Sequence, residues 1–408
     1  MNSRLMILWV ALLIYGATSG FAQEARSRQA DAEQAYFDQA DVWTDKANDA
    51  FFAKEYGDAE QYYQKMIAGF GKLSAQTRKA RTEFKSEVYY ALARVQAMQK
   101  KKNPALRSFE QAVADGYTAY RSILNDPYLA YIRGEKRFQT VMERLKDKSF
   151  HAILQKANGY APSQRRDTLP RFTYMAPNDR HLVRVREYFR LDSVAGAGDE
   201  LSKIKNILTF VHNTIEHDGS SDSPKVYDAI SLAEACKDGS RGLNCRGLAT
   251  VLNECYLAMG FKSRFVTCMP AVYVDDCHVI NAVYSVTLDK WVWVDPTNNA
   301  WVTDEKGNML SIQEVRERLR QDLPLVLNDE ANWNNREKVT ANEYLYDYMA
   351  KNLYYVNCML RSEYNAESTY NRANYVCLIP VGYTCDDLKG KTTTSDDQWF
   401  WQSPYTER

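Results

Sequence analysis

The 408-residue chain is long enough for two or three domains. Its 45% hydrophobic and 25% charged residues are those of an ordinary globular protein, and 52 Lys+Arg against 52 Asp+Glu leave no formal net charge. That balance excludes a global electrostatic case for nucleic acid or for an anionic membrane surface.

In chain order, Arg4 precedes an apolar run from Leu5 to Ala17, followed by the small residues Thr18-Ser19-Gly20 and Ala22. This predicts a secretory signal peptide over residues 1–22, too short to span a bilayer comfortably. The mature chain is then expected in the periplasm or outside the cell, with no integral membrane segment after cleavage. Residues 23–150 predict an all-helical domain, with Ala32, Ala35, Tyr36, Ala40, Trp43, Ala47 and Phe51 at helical spacing. Lys54, Ala59, Tyr63 and Ile67 recur as Lys100, Ala105, Phe109 and Val113, an offset of 46 residues. The pattern resembles tetratricopeptide-like helix pairs, longer than the usual unit, and makes this domain a possible docking surface for a protein partner. Pro162, Pro170 and Pro177 with the basic pair Arg165-Arg166 predict a linker and entry segment over residues 151–198.

Residues 199–320 predict an α+β core. Asp199 caps a helix whose apolar face is Leu201, Ile204, Ile207, Leu208 and Val211. A second helix opens at Cys245 and stops at Gly260. Strands are expected over 263–269, 279–288 and 290–295, then a short charged helix over 311–320. Residues 321–408 predict a mixed α/β extension packed on the core, with a helix around Glu343–Asn352 and short aromatic strands. The 28 tyrosines, many of them here, serve amphipathic packing, or alternatively line a peptide or glycan groove.

Eight cysteines stand at 236, 245, 255, 268, 277, 358, 377 and 385. Export permits disulfides, and Cys377–Cys385 and Cys268–Cys277 are candidate local pairs. Cys245 is of another kind. It follows Gly242-Leu243-Asn244 and begins a helix, where free N–H groups and the helix dipole favour a thiolate and an oxyanion. His278 begins a strand, and Asp295 ends the run Trp291-Val292-Trp293-Val294. Strand ends on one sheet edge can bring them together, with Asp295 fixing one ring nitrogen and the other facing Cys245. His212 and His217, five apart, lack zinc-helix spacing and are expected as caps or surface residues, although His217-Asp218 could line a cleft. No metal site, phosphate loop or dinucleotide fingerprint is expected, and no cofactor.

Three motifs, Gly242-Leu243-Asn244-Cys245-Arg246-Gly247-Leu248-Ala249, Asp276-Cys277-His278-Val279 and Lys290-Trp291-Val292-Trp293-Val294-Asp295-Pro296-Thr297, follow in this order. Together they resemble the transglutaminase-like superfamily. The resemblance covers about residues 165–320 and implies a papain-like core, a nucleophile helix packed on an antiparallel sheet. It implies Cys245 as nucleophile, His278 as base and Asp295 as its orienter. Asn244 and Tyr227 are the candidates for a side-chain oxyanion donor. The expected function is an exported cysteine hydrolase or acyltransferase acting on amide bonds of peptides or proteins through a thioester. The alternative is a non-catalytic peptide- or glycan-binding module on the same fold, the expected outcome where the sulfur is sealed off, cross-linked or far from His278.

Overall fold

A computed structural model describes residues 5–162, 169–272, 277–367 and 374–405, with side chains from residue 28 onward. The side chains of the expected signal segment, the Arg165-Arg166 pair and Asp276 lie outside the described residues. The chain divides into two units, Met1–Lys146 and Asp147–Arg408.

The first unit is all helix: α1 (Leu5–Phe52), α2 (Tyr56–Phe70), α3 (Ala75–Ala80), α4 (Thr82–Met98), α5 (Lys102–Ala114) and, after shorter helical turns, α6 (Lys136–Lys146). Helix α1 packs on α2, α2 on α4 and α4 on α5. The repeat read from the sequence is carried by the backbone. Lys54 and Lys100 both take left-handed φ, 65° and 59°. At each joint the next amide bonds back across the helix end, Glu55 N to Ala50 O at 2.7 Å and Lys101 N to Gln96 O at 2.9 Å. The chain thus reverses in the same way twice. The small residues Ala59 and Ala105 are fully buried where helices cross, with Tyr63 and Phe109 buried one turn on. Glu60 ties the repeats together, accepting from Gln96 at 3.0 Å and from Lys101 at 2.6 Å.

In the second unit come α7 (Arg180–Tyr188), α8 (Leu191–Ala195), α9 (Glu200–Thr214), α10 (Ala229–Ala235) and α11 (Cys245–Ala258). Strands β1 (Ser263–Met269), β2 (His278–Ser285) and β3 (Lys290–Val294) follow, then α12 (Ile312–Arg320). A small hairpin, β4 (Asn332–Trp333) with β5 (Glu337–Lys338), leads to a π-helix over Asn342–Met349. Strands β6 (Tyr355–Met359), β7 (Tyr375–Leu378) and β8 (Thr392–Thr394) close the chain. The sheet order is β8-β7-β6-β1-β2-β3, antiparallel apart from β7 with β8. The fold is α+β, as expected.

Two corrections follow. The segment read as a linker contains α7 and α8, whose Leu182, Val185, Leu191 and Ala195 are buried in the core shared with α9 and α11. The region read as an extension supplies half of the sheet, with β6 paired directly to β1. Both sheet faces are covered. On one, Leu248 and Leu252 of α11 meet Val283 and Val292; on the other, Ile280 and Trp293 meet Leu345 and Trp399. Two-sided burial is why β1 and β2 show no strict alternation of apolar and polar residues.

The expected disulfides are absent: all eight cysteines are free. Cys268 lies in the core on one face of the sheet and Cys277 in a cluster on the other, so they cannot meet. Cys377 and Cys385 share that second cluster as separate thiols, and burial pushes Cys377 up to about 12, which keeps it protonated.

Candidate active site

Helix α11 begins at Cys245 because Asn244 caps it, its side-chain oxygen accepting from Gly247 N at 3.0 Å. Gly260, with φ of 86°, ends it one residue after Met259. The approach to the cap is tight. Leu243 N donates to Glu216 O at 3.0 Å and Asp218 N to Leu243 O at 2.8 Å, a parallel bridge that sets His217 alongside Leu243. Gly242 makes this possible, since a Cβ there would stand 2.4 Å from Glu216 O.

Cys245 is half-buried, and its thiol feels His217, His278 and the backbone N–H of Val279. Burial pushes the thiol up, but the two imidazoles, the charge on His278 and the Val279 N–H outweigh it and bring the group down to about 6. His278 is buried at the start of β2, and its Nε2 stands 2.8 Å from Asp295 Oδ2, leaving Nδ1 for the sulfur. Burial would lower its pKa. The charge and hydrogen bond of Asp295, with those of Cys245, raise it instead to about 10. Asp295 is fully buried, which alone would raise it, yet the charge on His278 and the donors around it hold it at about 2. The three groups rest as thiolate, imidazolium and carboxylate.

The two oxygens of Asp295 divide the work. Oδ1 accepts from Thr297 N at 2.8 Å, the turn that an Asp-Pro-Thr sequence forms. Oδ2 faces His278 and also accepts from Tyr344 Oη at 2.6 Å and Asn298 Nδ2 at 3.0 Å. Tyr344 comes from the π-helix, whose Tyr348 also packs edge-on against the His278 ring at 5.2 Å. Wide helical turns of this kind recur at functional sites, where they re-aim side chains.

The three residues expected from the sequence therefore stand together, His278 bonded to Asp295 and its charge acting on Cys245. Of the candidates for a side-chain oxyanion donor, Asn244 places its oxygen on the helix cap, where it also accepts from Tyr227 Oη at 3.4 Å. The group at the sulfur is His217, expected only as a cap or cleft residue. Trp333 Nε1 donates to His217 Nδ1 at 3.4 Å, leaving the Nε2–H for Cys245. Asn334 holds the backbone on both sides, accepting from His217 N at 2.7 Å and donating to His217 O at 3.0 Å. His212, expected at the surface, is buried instead. Its ring nitrogens meet Pro296 O at 2.9 Å and Asn332 Oδ1 at 3.0 Å, tying the Trp333 hairpin to the turn after Asp295.

Residues 189–296 match the family model of the transglutaminase-like superfamily. The chain carries a transglutaminase-like domain. No curated protein and no solved structure matches the chain. The matched span of the transglutaminase-like domain holds Cys245, His278, Asp295 and His217, but ends before Trp333, Tyr344 and the strands β6 to β8 that complete the sheet. Among the described residues, no cluster of His, Cys, Asp or Glu could hold a metal ion, and no helix is long and apolar enough to cross a membrane.

Proposed function

We propose that this protein is an exported cysteine hydrolase of peptide or protein amide bonds. The observation that carries the reading is the half-buried Cys245 sulfur at the start of α11, under the influence of a histidine that Asp295 holds at 2.8 Å. In the proposed reaction the thiolate attacks the amide carbonyl. The tetrahedral oxyanion takes hydrogen bonds from the amino end of α11 and from His217 Nε2–H. His278 gives its Nδ1 proton to the leaving amine as the C–N bond breaks, and a thioester remains. The neutral imidazole then takes a proton from water, hydroxide attacks the thioester, and the thiolate leaves as the acid is released. Water is always present and nothing marks an amine-donor site, which favours hydrolysis over cross-linking. Export is proposed on the apolar run from Leu5 to Ala17. The binding-module reading gains where the sulfur is sealed, cross-linked or far from His278; against it stands a free, half-buried Cys245 thiol that feels the charge on His278.

The test is to incubate the full-length protein with a peptide mixture and follow cleavage by mass spectrometry. Cys245→Ala should abolish both cleavage and labelling by a thiol-directed acylating probe. Equal labelling or equal cleavage by the variant would remove Cys245 from the mechanism.

The resting ion pair also sets a pH profile. Turnover requires the sulfur deprotonated and His278 protonated, a state that exists between about 6 and about 10. The rate of peptide cleavage should rise through pH 6 and fall through pH 10, as limbs belonging to the coupled pair. Alkylation of Cys245 by iodoacetamide needs only the thiolate and should keep the acid limb alone. A single limb near the ordinary thiol value in both assays would contradict the ion pair.

A further inference from the structure

A cavity of about 630 Å³ opens beside the Cys245 end of α11. Arg246 and Cys277, the chain neighbours of Cys245 and His278, both line it, as does Tyr227, which feels the charge on Cys245. Its floor is the sheet face under α11, where Thr267 of β1 and Asn357 of β6 are cross-strand partners. The acyl-transfer steps use none of this floor.

Apart from the exposed Lys225, the charges in the wall are already paired. Arg246 Nη1 donates to Glu367 Oε1 at 2.9 Å and its Nη2 to Thr267 Oγ1 at 3.2 Å. Lys391 Nζ donates to Asp387 Oδ2 at 2.8 Å. Lys225 is exposed. Asn357 differs. It is 7% exposed and lines the cavity, yet among the described residues its side-chain amide makes no hydrogen bond. A ligand that displaces solvent from this amide must return hydrogen bonds to both its donor and its acceptor.

We infer that this cavity is a subsite for a neutral group that both donates and accepts, the amide or hydroxyl side chain of a substrate residue flanking the scissile bond, with Asn357 as the residue that reads it. The inference rests on the acyl-transfer reading above. An apolar side chain entering here would strip water from the Asn357 amide and return nothing. A charged one would lose its hydration among Arg246, Glu367, Asp387 and Lys391, whose charges are already matched. A neutral polar group alone satisfies the amide without leaving a charge uncompensated, the usual basis of strong discrimination by a buried polar contact.

The experiment uses the full-length protein and acetylated dipeptidyl chloromethyl ketones, with Asn, Leu, Asp or Lys at each of the two positions in turn. The first three are near-isosteric and differ in polarity and charge. The readout is the rate of Cys245 alkylation by intact-protein mass spectrometry. At one of the two positions the Asn probe should react at least about tenfold faster than the Leu and Asp probes. Asn357→Leu should bring the Asn and Leu rates within about twofold and speed the Leu probe relative to the parent protein, a gain that also reports that the variant is folded. Asn357→Asp, with the same shape, should move the preference to the Lys probe, a gain that misfolding cannot produce. Labelling of Cys245 without side-chain preference, or a preference unmoved by both variants, would overturn the subsite while leaving the nucleophile intact. No labelling of Cys245 by any probe would overturn the acyl-transfer reading and the subsite with it.

Discussion

Asp295→Asn should lower peptide turnover by roughly 10³- to 10⁴-fold, the scale seen when the orienting carboxylate of such a chain loses its charge. The argument starts from the opposing effects on His278. Burial alone would hold the imidazole neutral, and the charge and hydrogen bond of Asp295 stand foremost among the influences that raise it to about 10. Without the carboxylate, burial wins and the ring loses its proton at neutral pH. Cys245 then loses the positive charge that helps hold it near 6, so its own pKa climbs. The amide also fits poorly: its NH₂ must face either Thr297 N–H or the three donors at Oδ2, at a cost of about 1–3 kcal/mol per unmade bond. A thermal midpoint should therefore accompany the kinetics. The decisive measurement is the iodoacetamide rate against pH. The acid limb should move from about 6 toward the ordinary thiol range, and an unmoved limb would mean that Asp295 does not govern the sulfur.

The parts of this site that were legible in the sequence are those whose position follows from a local rule. A helix start, a strand start and a strand end placed Cys245, His278 and Asp295, and the capping signal at Asp199 and the stop signal at Gly260 set helix boundaries around them. What was not legible depends on distant pairings. His217 reaches Cys245 only because the chain before α10 returns to lie against Leu243, and Gly242, the residue that permits it, reads in sequence as one more turn glycine. Trp333, Asn334, Tyr344 and Tyr348 come from beyond residue 321, where short strands and a π-helix carry no clear period. Short aromatic strands were expected there, but β6 and β7 are buried on both faces, so no alternation marked them as part of the core sheet. Helix α7 was mistaken for linker because its surface is crowded with charge, Arg180, Arg184, Arg186 and Glu187, around a core contact made by Leu182 and Val185. The disulfides were inferred from spacing, which says nothing about the face of the sheet on which each sulfur lies.

His217→Ala offers the sharpest separation between binding the sulfur and moving the proton. The variant keeps the His278–Asp295 pair, so the proton for the leaving amine is still available. It loses the Nε2–H that meets the sulfur at rest and, in the proposed reaction, the oxyanion. Loss of one such donor lowers kcat by about 10²- to 10³-fold, with KM little changed when the donor serves the transition state more than the bound substrate. Because His217 stands first among the groups that lower the Cys245 thiol, the acid limb of alkylation should shift upward, while the imidazolium of His278 remains. Two companions make the result specific. His217→Gln returns an N–H donor to the same neighbourhood and should recover part of kcat. Trp333→Phe keeps His217 but removes the indole N–H that fixes its tautomer at 3.4 Å, so it should cost less than the alanine change. If His217→Ala raised KM and left kcat alone, the residue would be a wall of the substrate cleft, and the oxyanion would depend on the amino end of α11 by itself.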